Sequence, residues 1–569
     1  MHFGYVNGPH NPQFEGLAMK AGPSNLRVQQ VNCFYNYAIG LDVTQVDLLK
    51  TAQALLKSGT VKTVCFSDLK AIYLDEHGEV QIEWLRPKGR RWDNSWTVRF
   101  NESLPQYTAK DLIFCLELAF HERRIEGDEA GQAPPHLRAA LPPVVLENDD
   151  LILPVYPWLK LYADGLICIS FQLDTTWDNL SEDKFISDVV NLFQCYFKSI
   201  WVKGTLQRID GERLLPDAFE GQISIGGQSV VGRRPRMLVK KMQLEARASL
   251  ESSLRKEGRS FDLNGESWLL HQIAGSEDQA EWEGTIDLCR SIYANAIASQ
   301  VVPKNYRKSD RVPSAQLWQG RPSISLMRFV NQPKSKGQLF SMYSQSMSRI
   351  LMRSAEMNNP PQLPPDLRPF NDYCLHGNRA VLLWTWLRPR DASDNAWDNP
   401  KTRAHLLENQ ARAEHFEYHN IRIARACAIA EAPPSDEKLV YAYESLANAD
   451  SVIHKSSQAG EIIDALEYLM TAAGTTRLIP SGKEQARWYL DERRYKAEKR
   501  RSRVDRWLTA VFGVVGAGGL ADLVFRPLLK TTYPGWADWF TGLTAFAAAS
   551  FLIVLLVTSI SAFDKIWTE

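Results

Sequence analysis

The chain has 569 residues, of which 44% are hydrophobic and 23% are charged, with 66 basic and 66 acidic side chains. This ordinary balance excludes a wholly disordered, collagen-like or coiled-coil protein. Because the net charge is zero, no overall field favours nucleic acid, and we expect no nucleic-acid partner. The eight cysteines are scattered without close pairs, which favours reduced thiols over a zinc ribbon or a disulfide framework.

Strand-like and helix-like segments alternate over residues 1–215. This order predicts a cytoplasmic domain of the α/β or α+β class. Strands are predicted over 31–42, 60–66, 71–74, 80–85, 96–100, 150–156 and 165–173. Helices are predicted over 44–58, 110–121 and 181–201.

Residues 216–400 form an additional cytoplasmic segment with a less regular pattern. A proline-rich linker occupies 358–370. The apolar run AVLLWTWL at 380–387 predicts a strand that returns to the sheet.

Residues 401–480 predict a helical hairpin, with helices over 402–431 and 435–473. His415 and His419 stand four apart on the first helix, a spacing that can hold a metal, but a solvated helix face is the favoured interpretation. A third helix is predicted to begin at Ser481 because Glu484 completes a capping box. Its polar part, 481–506, forms a stalk that continues without proline to residue 525.

A narrow apolar stripe runs along this stalk. Its members recur every seven residues: Leu490, Ala497, Val504, Val511 and Gly518. A seven-residue stripe on a charged helix is typical of a self-association seam, although coincidence on a solvated helix is the alternative.

Residues 507–563 predict two transmembrane helices, followed by a tail at 564–569. The run 540–563 carries no charge over 24 residues, and 507–525 is interrupted only by Asp522. Each is long enough to cross a bilayer, so the lipid bilayer is an expected partner. The connection 526–539 reads as a tight loop with aromatic anchors Tyr533, Trp536 and Trp539.

Eight basic residues lie between 492 and 506, directly before the first apolar run. A nucleic-acid patch is one interpretation, but this position favours a juxtamembrane role. The positive-inside rule then places the N-terminal body and the tail in the cytoplasm, in a multi-pass protein of the inner (plasma) membrane.

This organisation resembles the CorA-type divalent metal ion transporters, and Trp507-Leu508-Thr509 resembles the start of that family's first membrane helix. The resemblance implies a homo-oligomer of five chains, with the first membrane helix lining the pore and a divalent cation such as magnesium as cargo. The chain departs from the family because it lacks the Gly-Met-Asn loop; an ungapped alignment places Arg526-Pro527-Leu528 there. A ring of Arg526 at the outer mouth would repel a divalent cation.

The predicted ion path comprises Gly513, Gly516, Gly519, Asp522 and Arg526. The glycines either widen a pore or allow close helix packing without conduction. Asp522 either forms a cation-coordinating ring or pairs with Arg526 four residues later. An acid near the lipid headgroups is a third interpretation.

No motif of a familiar enzyme is present, so we expect a protein that is not an enzyme. The first hypothesis is a homo-oligomeric CorA-like channel or transporter for ions, gated when its cytoplasmic domain senses an ion, a small ligand or a protein regulator. The alternative is a membrane-anchored effector that senses a signal or partner and permeabilises the membrane, for example in bacterial defence. An anchored enzyme of unfamiliar type is the third possibility.

Overall fold

The computed structural model describes residues 26–41, 43–75, 77–89, 96–100, 104–126, 134–148, 151–173, 179–195, 197–207, 258–274, 285–304, 315–387, 397–431, 433 and 436–567. The chain forms two compact units, residues 1–484 and residues 485–569. The finer sequence-based divisions at 215 and 400 stay predictions.

Sixteen strands form one sheet within the described part of the first unit. They are β1 (Arg27–Leu41), β2 (Thr63–Phe66), β3 (Lys70–Leu74), β4 (Val80–Trp84), β5 (His136–Ala140), β6 (Val144–Asn148), β7 (Leu151–Tyr162), β8 (Leu166–Leu173), β9 (Leu180–Ser181), β10 (Ser199–Lys203), β11 (Gly258–Leu263), β12 (Glu266–Ala274), β13 (Ala315–Gln319), β14 (Pro322–Phe329), β15 (Tyr373–Gly377) and β16 (Leu382–Trp386).

The strand order is β11-β12-β10-β6-β7-β8-β1-β14-β16-β15, and a branch β4-β3-β2-β5 joins the sheet at β7. The described pairs are antiparallel except β14 with β16, which is parallel. The prediction that 380–387 returns to the sheet is therefore confirmed.

Besides a short helix at Glu182–Lys184, the described helices of the first unit are α1 (Leu48–Lys57), α2 (Gln106–Glu126), α3 (Thr285–Ala298), α4 (Lys336–Met352), α5 (Pro400–Glu431), α6 (Asp436–Ala447), α7 (Ala449–His454), α8 (Gly460–Ala473) and the start of α9 (Thr475–Leu520). A sheet-rich part is followed mostly by helices, which confirms the mixed α/β class at this coarse level.

The central strand β1 is covered on both faces. From Val31 onward its odd-numbered residues, such as Val31 and Ile39, enter the main apolar core, whereas before the register shift at Gln30 the even-numbered Val28 does so. Even-numbered Asn36 and Ala38 face α5 instead, where Gln410 Nε2 donates to Asn36 Oδ1 at 2.8 Å. This alternation follows from the two-residue period of a strand.

Two elements predicted in the N-terminal part do not form in the structure. Residues 181–201 are not one helix: a π-helical turn at Phe185–Val190 is followed by strand β10, which pairs with β6 and β12. Residues 96–100 hold only an isolated bridge between Lys88 and Thr97. Here tertiary pairing overrides local propensity.

The predicted helix over 435–473 is broken into α6, α7 and α8. Between α7 and α8, Ser457 donates its hydroxyl to Ile125 O and accepts from Ala459 N at 3.1 Å, so a side chain competes with helical bonding. The third helix begins at Thr475 rather than Ser481, and it contains Pro480. Ser481 Oγ donates to Leu478 O instead of capping a helix.

Candidate functional site

The second unit carries two helices that are long and apolar enough to cross a membrane. Candidate spans cover Val511–Thr532 and Asp538–Leu555 among the described residues. The first comprises the end of α9, a π-helical stretch Ala521–Phe525 and helix α10 (Arg526–Thr532). The second lies in α11 (Asp538–Trp567). The two predicted apolar segments are thus confirmed as candidate spans, whereas their crossing of a membrane stays a proposal.

Arg526 lies inside the first candidate span, not in the loop where the sequence placed it. The helix continues past Pro527 to Thr532, so the connection shrinks to residues 533–537. Pro527 lies at the start of α10. At the first positions of a helix, the absence of a backbone N–H in proline costs little hydrogen bonding. The wider π turn just before it relieves the clash that proline makes with the preceding turn.

Asp522 and Arg526 form an ion pair near the midpoint of this span. Arg526 Nη1 donates to Asp522 Oδ1 at 3.1 Å, which agrees with the intrahelical alternative predicted from their spacing. Asp522 is about 16 Å along the helix axis from Val511. The Asp522 side chain is 70% exposed and that of Arg526 is 40% exposed. The pair therefore lies on the outside of the single hairpin.

Small residues form the contact between the two spans. Ala517 and Ala521 on the first helix pack against Ala545 and Ala549 on the second, with Ile553 beside them. Each pair is spaced by four residues, so it lies on one helix face. Short side chains allow the two backbones to approach closely.

The predicted path glycines do not all share a face. A Cβ at Gly513 would lie 3.6 Å from Ile553 Cγ2, so Gly513 adjoins the second helix. Gly516, Gly518 and Gly519 would have nothing within 4 Å of an added Cβ. Gly516 and Gly519 are exposed, as Asp522 is. The structure thus brings Gly516, Gly519 and the ion pair to the open surface of the hairpin, while their role in a path stays a prediction.

The predicted stalk seam lies on α9. Leu490 is half-buried, whereas Ala497, Val504 and Val511 are exposed. Trp507 and Phe512 are also exposed. This surface is open in the single chain, and self-association along it stays a prediction.

Helix α5 contradicts the prediction of a solvated helical face. Its polar side chains are buried because the sheet covers one side and α2, α6 and α8 contact the helix elsewhere. The buried polar residues include Glu408, Asn409, Gln410, Arg412, Glu414, His415, Glu417, His419, Asn420 and Arg425. A usable signal was the strand pattern: buried Asn32, Asn36, Ser170 and Gln172 give β1 and β8 a polar face.

His415 and His419 lie in this interior, with ring centroids 4.6 Å apart. Burial lowers the pKa of His415 to about 3 and holds the pKa of His419 well below its usual range. Nearby Lys160 acts in the same direction on both imidazoles. Both rings are therefore neutral at physiological pH.

Glu122 on α2 is the centre of a buried charge network. It accepts hydrogen bonds from Arg138 and Lys160, and His136 Nε2 lies 3.2 Å from its Oε2. Burial raises the pKa of Glu122, but Arg138, Lys160 and His136 outweigh this effect and hold it well below its usual range. Arg138 also donates to Glu414, so the network joins α2, the sheet and α5. We assign it a structural role because its charges are mutually satisfied.

One compact set of metal-ligand residue types occurs among the described residues: Asp366, Cys374 and His376, with ligand atoms within 4.8 Å of one another. Lys336 Nζ already lies 2.5 Å from Asp366 Oδ2, and His376 Nδ1 lies 2.9 Å from Pro364 O. Burial raises the pKa of the Cys374 thiol, which disfavours the thiolate. These residues do not fit a metal ion, because an ammonium group occupies the position beside the carboxylate.

Comparison of the chain with protein-family models, curated proteins and solved structures gives no significant match.

Proposed function

We propose that the chain is a homo-oligomeric membrane channel or transporter for ions, whose N-terminal unit controls conduction. The observation that carries this proposal is the position of the Asp522–Arg526 pair: it lies near the middle of a candidate span and on the open side of the hairpin.

Polar groups are costly in the hydrocarbon core of a bilayer. A charged side chain at the bilayer centre costs about 2.5–3.5 kcal/mol or more when it faces lipid. Pairing reduces this cost, but the exposed Asp522 carboxylate keeps acceptor capacity that lipid tails cannot satisfy. A facing copy of the chain, or water held between copies, supplies the missing partners. One hairpin cannot enclose a water path, so conduction requires several chains.

The neighbouring glycines support close approach of further copies. Gly516 and Gly519 lie exposed on the same helix as the pair and leave open space around their backbone. The second span uses a different face, the one that carries Ala517 and Ala521. The first span therefore has one face for the partner helix of its own chain and another for a neighbouring chain. A pentamer, with the stalk seam in contact, is the arrangement that the CorA resemblance implies.

The charge pattern supports an orientation. The half-buried Arg493 and a series of exposed basic residues precede the first span: Arg494, Lys496, Lys499, Arg500, Arg501 and Arg503. Beyond that span, the described connection at 533–537 carries no basic residue. By the positive-inside rule, this pattern supports the proposed orientation, with the N-terminal unit and the C-terminal tail in the cytoplasm of a multi-pass protein of the inner (plasma) membrane.

The experiment is ion flux through liposomes that contain the purified full-length chain, with K⁺ and Mg²⁺ measured separately. We expect wild-type flux above that of empty liposomes, and a severalfold change in rate or selectivity for Asp522→Asn. Asp538→Asn is the matched control because Asp538 is an exposed acid that pairs with Lys530 at the end of the hairpin connection. Absence of wild-type flux, or equal flux for Asp522→Asn, would overturn the proposal.

A second candidate is a membrane-anchored effector that permeabilises the bilayer. The observation that favours it is the absence of a Gly-Met-Asn selectivity loop. The same liposomes distinguish the two functions: release of a trapped dye such as calcein, together with ions, indicates permeabilisation, whereas ion flux with retained dye indicates a selective path.

A further inference from the structure

A cavity of about 630 Å³ lies in the N-terminal unit, beside the beginning of α5. Its walls come from α2, from the turn that precedes β2, from β7, from the β11–β12 hairpin and from the beginning of α5. A volume in this range is typical of small-molecule sites. These elements are far apart in the sequence, and only folding brings them together around the cavity.

Aromatic rings form one wall of the cavity. Phe114 and Trp158 stack with ring centroids 3.9 Å apart and an interplanar angle of 18°. Trp158 Nε1 donates to Gln172 Oε1 at 2.9 Å, which fixes the indole orientation. Trp397 lies beside Phe114, at a centroid distance of 6.1 Å. Trp158 and Trp397 are only half-buried, so they offer a flat apolar surface to a bound ring.

Two lysines approach a further aromatic ring that lines the cavity. Lys62 Nζ lies 4.2 Å and Lys203 Nζ 5.6 Å from the centroid of Trp268. Burial, together with Lys203, lowers the pKa of Lys62 to about 8, and burial also lowers the pKa of Lys203. Two ammonium groups held near one ring repel each other, and a bound anion relieves this repulsion.

The cavity wall also contains acids, and one of them pairs with Lys62. Glu266 neutralises Lys62 in this pair, and Asp398 is a further, exposed acid of the wall. Outside the lining, Glu117 pairs with Arg403, whose Nη2 lies 2.6 Å from Glu117 Oε2. Burial raises the pKa of Asp111 to about 7, so its carboxyl group is partly neutral at physiological pH. Lys203 Nζ donates to the carbonyl of Gly59 at 3.3 Å, a neutral acceptor that leaves its charge available to a ligand.

We propose that this cavity binds a nucleoside phosphate, with the base against the Trp158 wall and the phosphate groups toward Lys62 and Lys203. The two features are complementary to the two halves of such a ligand, since stacking on aromatic rings recognises a planar base and ammonium groups recognise phosphate. The proposal concerns the N-terminal unit alone and does not depend on ion conduction.

The experiment uses the full-length protein in detergent and measures binding by titration calorimetry. The probes are the common ribonucleoside mono- and triphosphates, with adenosine and inorganic pyrophosphate as the separate halves of the ligand. We expect at least one nucleotide to bind at least about tenfold more tightly than either half. Quenching of tryptophan fluorescence on saturation provides a second readout at the site.

Lys203→Gln and Trp268→Leu are each expected to weaken nucleotide binding at least about tenfold. Lys496→Gln and Trp488→Leu are matched controls, because both residues are exposed on α9, and they should bind as wild type does. Unchanged thermal unfolding shows that each variant is folded. Three results would overturn the proposal: no probe nucleotide binds at about 1 mM, pyrophosphate binds as tightly as the best nucleotide, or the folded cavity variants bind normally. Each result can be obtained whether or not the protein conducts ions.

Discussion

Arg321 and Glu417 join the sheet to helix α5 through a buried ion pair. Arg321 Nε lies 2.5 Å from Glu417 Oε1, and the two side chains are only 3% and 1% exposed. Arg321 Nη1 also donates to Asn378 O at 2.7 Å, so the guanidinium contacts both the helix and the residue after β15. The pair fixes the position of α5 at the point where β14 begins.

Glu417→Gln is expected to destabilise the N-terminal unit strongly. It leaves the Arg321 guanidinium buried without its countercharge, and loss of one partner of a buried pair costs about 3–5 kcal/mol. The double variant Arg321→Met, Glu417→Gln should recover part of that loss because no unpaired charge remains. The free energy of unfolding from urea denaturation of the detergent-solubilised chain measures both effects.

The matched control is the exposed pair Lys496–Glu492, with Nζ and Oε1 2.5 Å apart on α9. Glu492→Gln should change the free energy of unfolding by less than about 1 kcal/mol. If Glu417→Gln were as mild as this control, the buried pair would not hold α5 in place.

Acid pH is expected to destabilise the N-terminal unit through its buried histidines. The ordinary pKa of histidine is 6.5, but in the fold the pKa of His415 is lowered to about 3. The unfolded chain therefore binds more protons between these values, and the free energy of unfolding falls as pH decreases below 6.5. One such histidine contributes a slope of about 1.4 kcal/mol per pH unit.

His415→Phe should flatten the pH dependence between pH 6 and pH 5 by about this amount. His454→Phe is the control, because the His454 side chain is 67% exposed. Urea denaturation at several pH values measures the two slopes. Equal slopes for His415→Phe and wild type would show that His415 takes up a proton in the folded unit as readily as in the unfolded chain.

Substitution by alanine is expected to reduce the free energy of unfolding by different amounts at two glycines with positive φ angles. Gly59 has φ +69° and nothing within 4 Å of an added Cβ, whereas Gly165 has φ +81° and a Cβ there would lie 2.2 Å from Val43 O. Gly59→Ala should cost about 1–2 kcal/mol, which is the backbone strain alone. Gly165→Ala should cost clearly more, because the backbone must also move. Comparison of the two denaturation midpoints tests the steric part of this prediction.

Enlarging the small residues between the candidate spans should loosen the hairpin. Ala549 is buried against Ala517 and Ala521, so Ala549→Leu overpacks the contact and is expected to cost about 1–3 kcal/mol. Ala547→Leu is the control because Ala547 is exposed. Thermal unfolding of the second unit in detergent, followed by circular dichroism, should show a lower midpoint only for Ala549→Leu.

The sequence supported the elements that local pattern decides. The strand β1, the helix α1 that follows it and the long apolar runs were predicted from periodicity and length. The intrahelical alternative for Asp522 and Arg526 followed from a spacing of four on one helix. The end of the first span was misplaced because proline was taken to stop the helix, whereas a π turn accommodates Pro527.

Apart from the polar residues that alternate along β1 and β8, the sequence carried no signal of which helix faces are buried by distant segments. Charged residues occur all round α5, which favours a solvated helix, yet neighbours distant in sequence enclose it and neutralise its charges. The cavity was missed for the same reason: Lys62, Trp158 and Trp268 belong to separate strands or loops, and no single segment carries the pattern.

The pairing of β1 also has a consequence for synthesis. Its residues bond with β8 and β14, and Val28 lies opposite Phe329. At about 5–20 residues per second, a ribosome needs roughly 15–60 s to extend the chain from Val28 to Phe329. During that interval the edge of β1 that later pairs with β14 stays unpaired. The nascent chain is therefore expected to need chaperone protection, and slower translation of β14 should increase its aggregation.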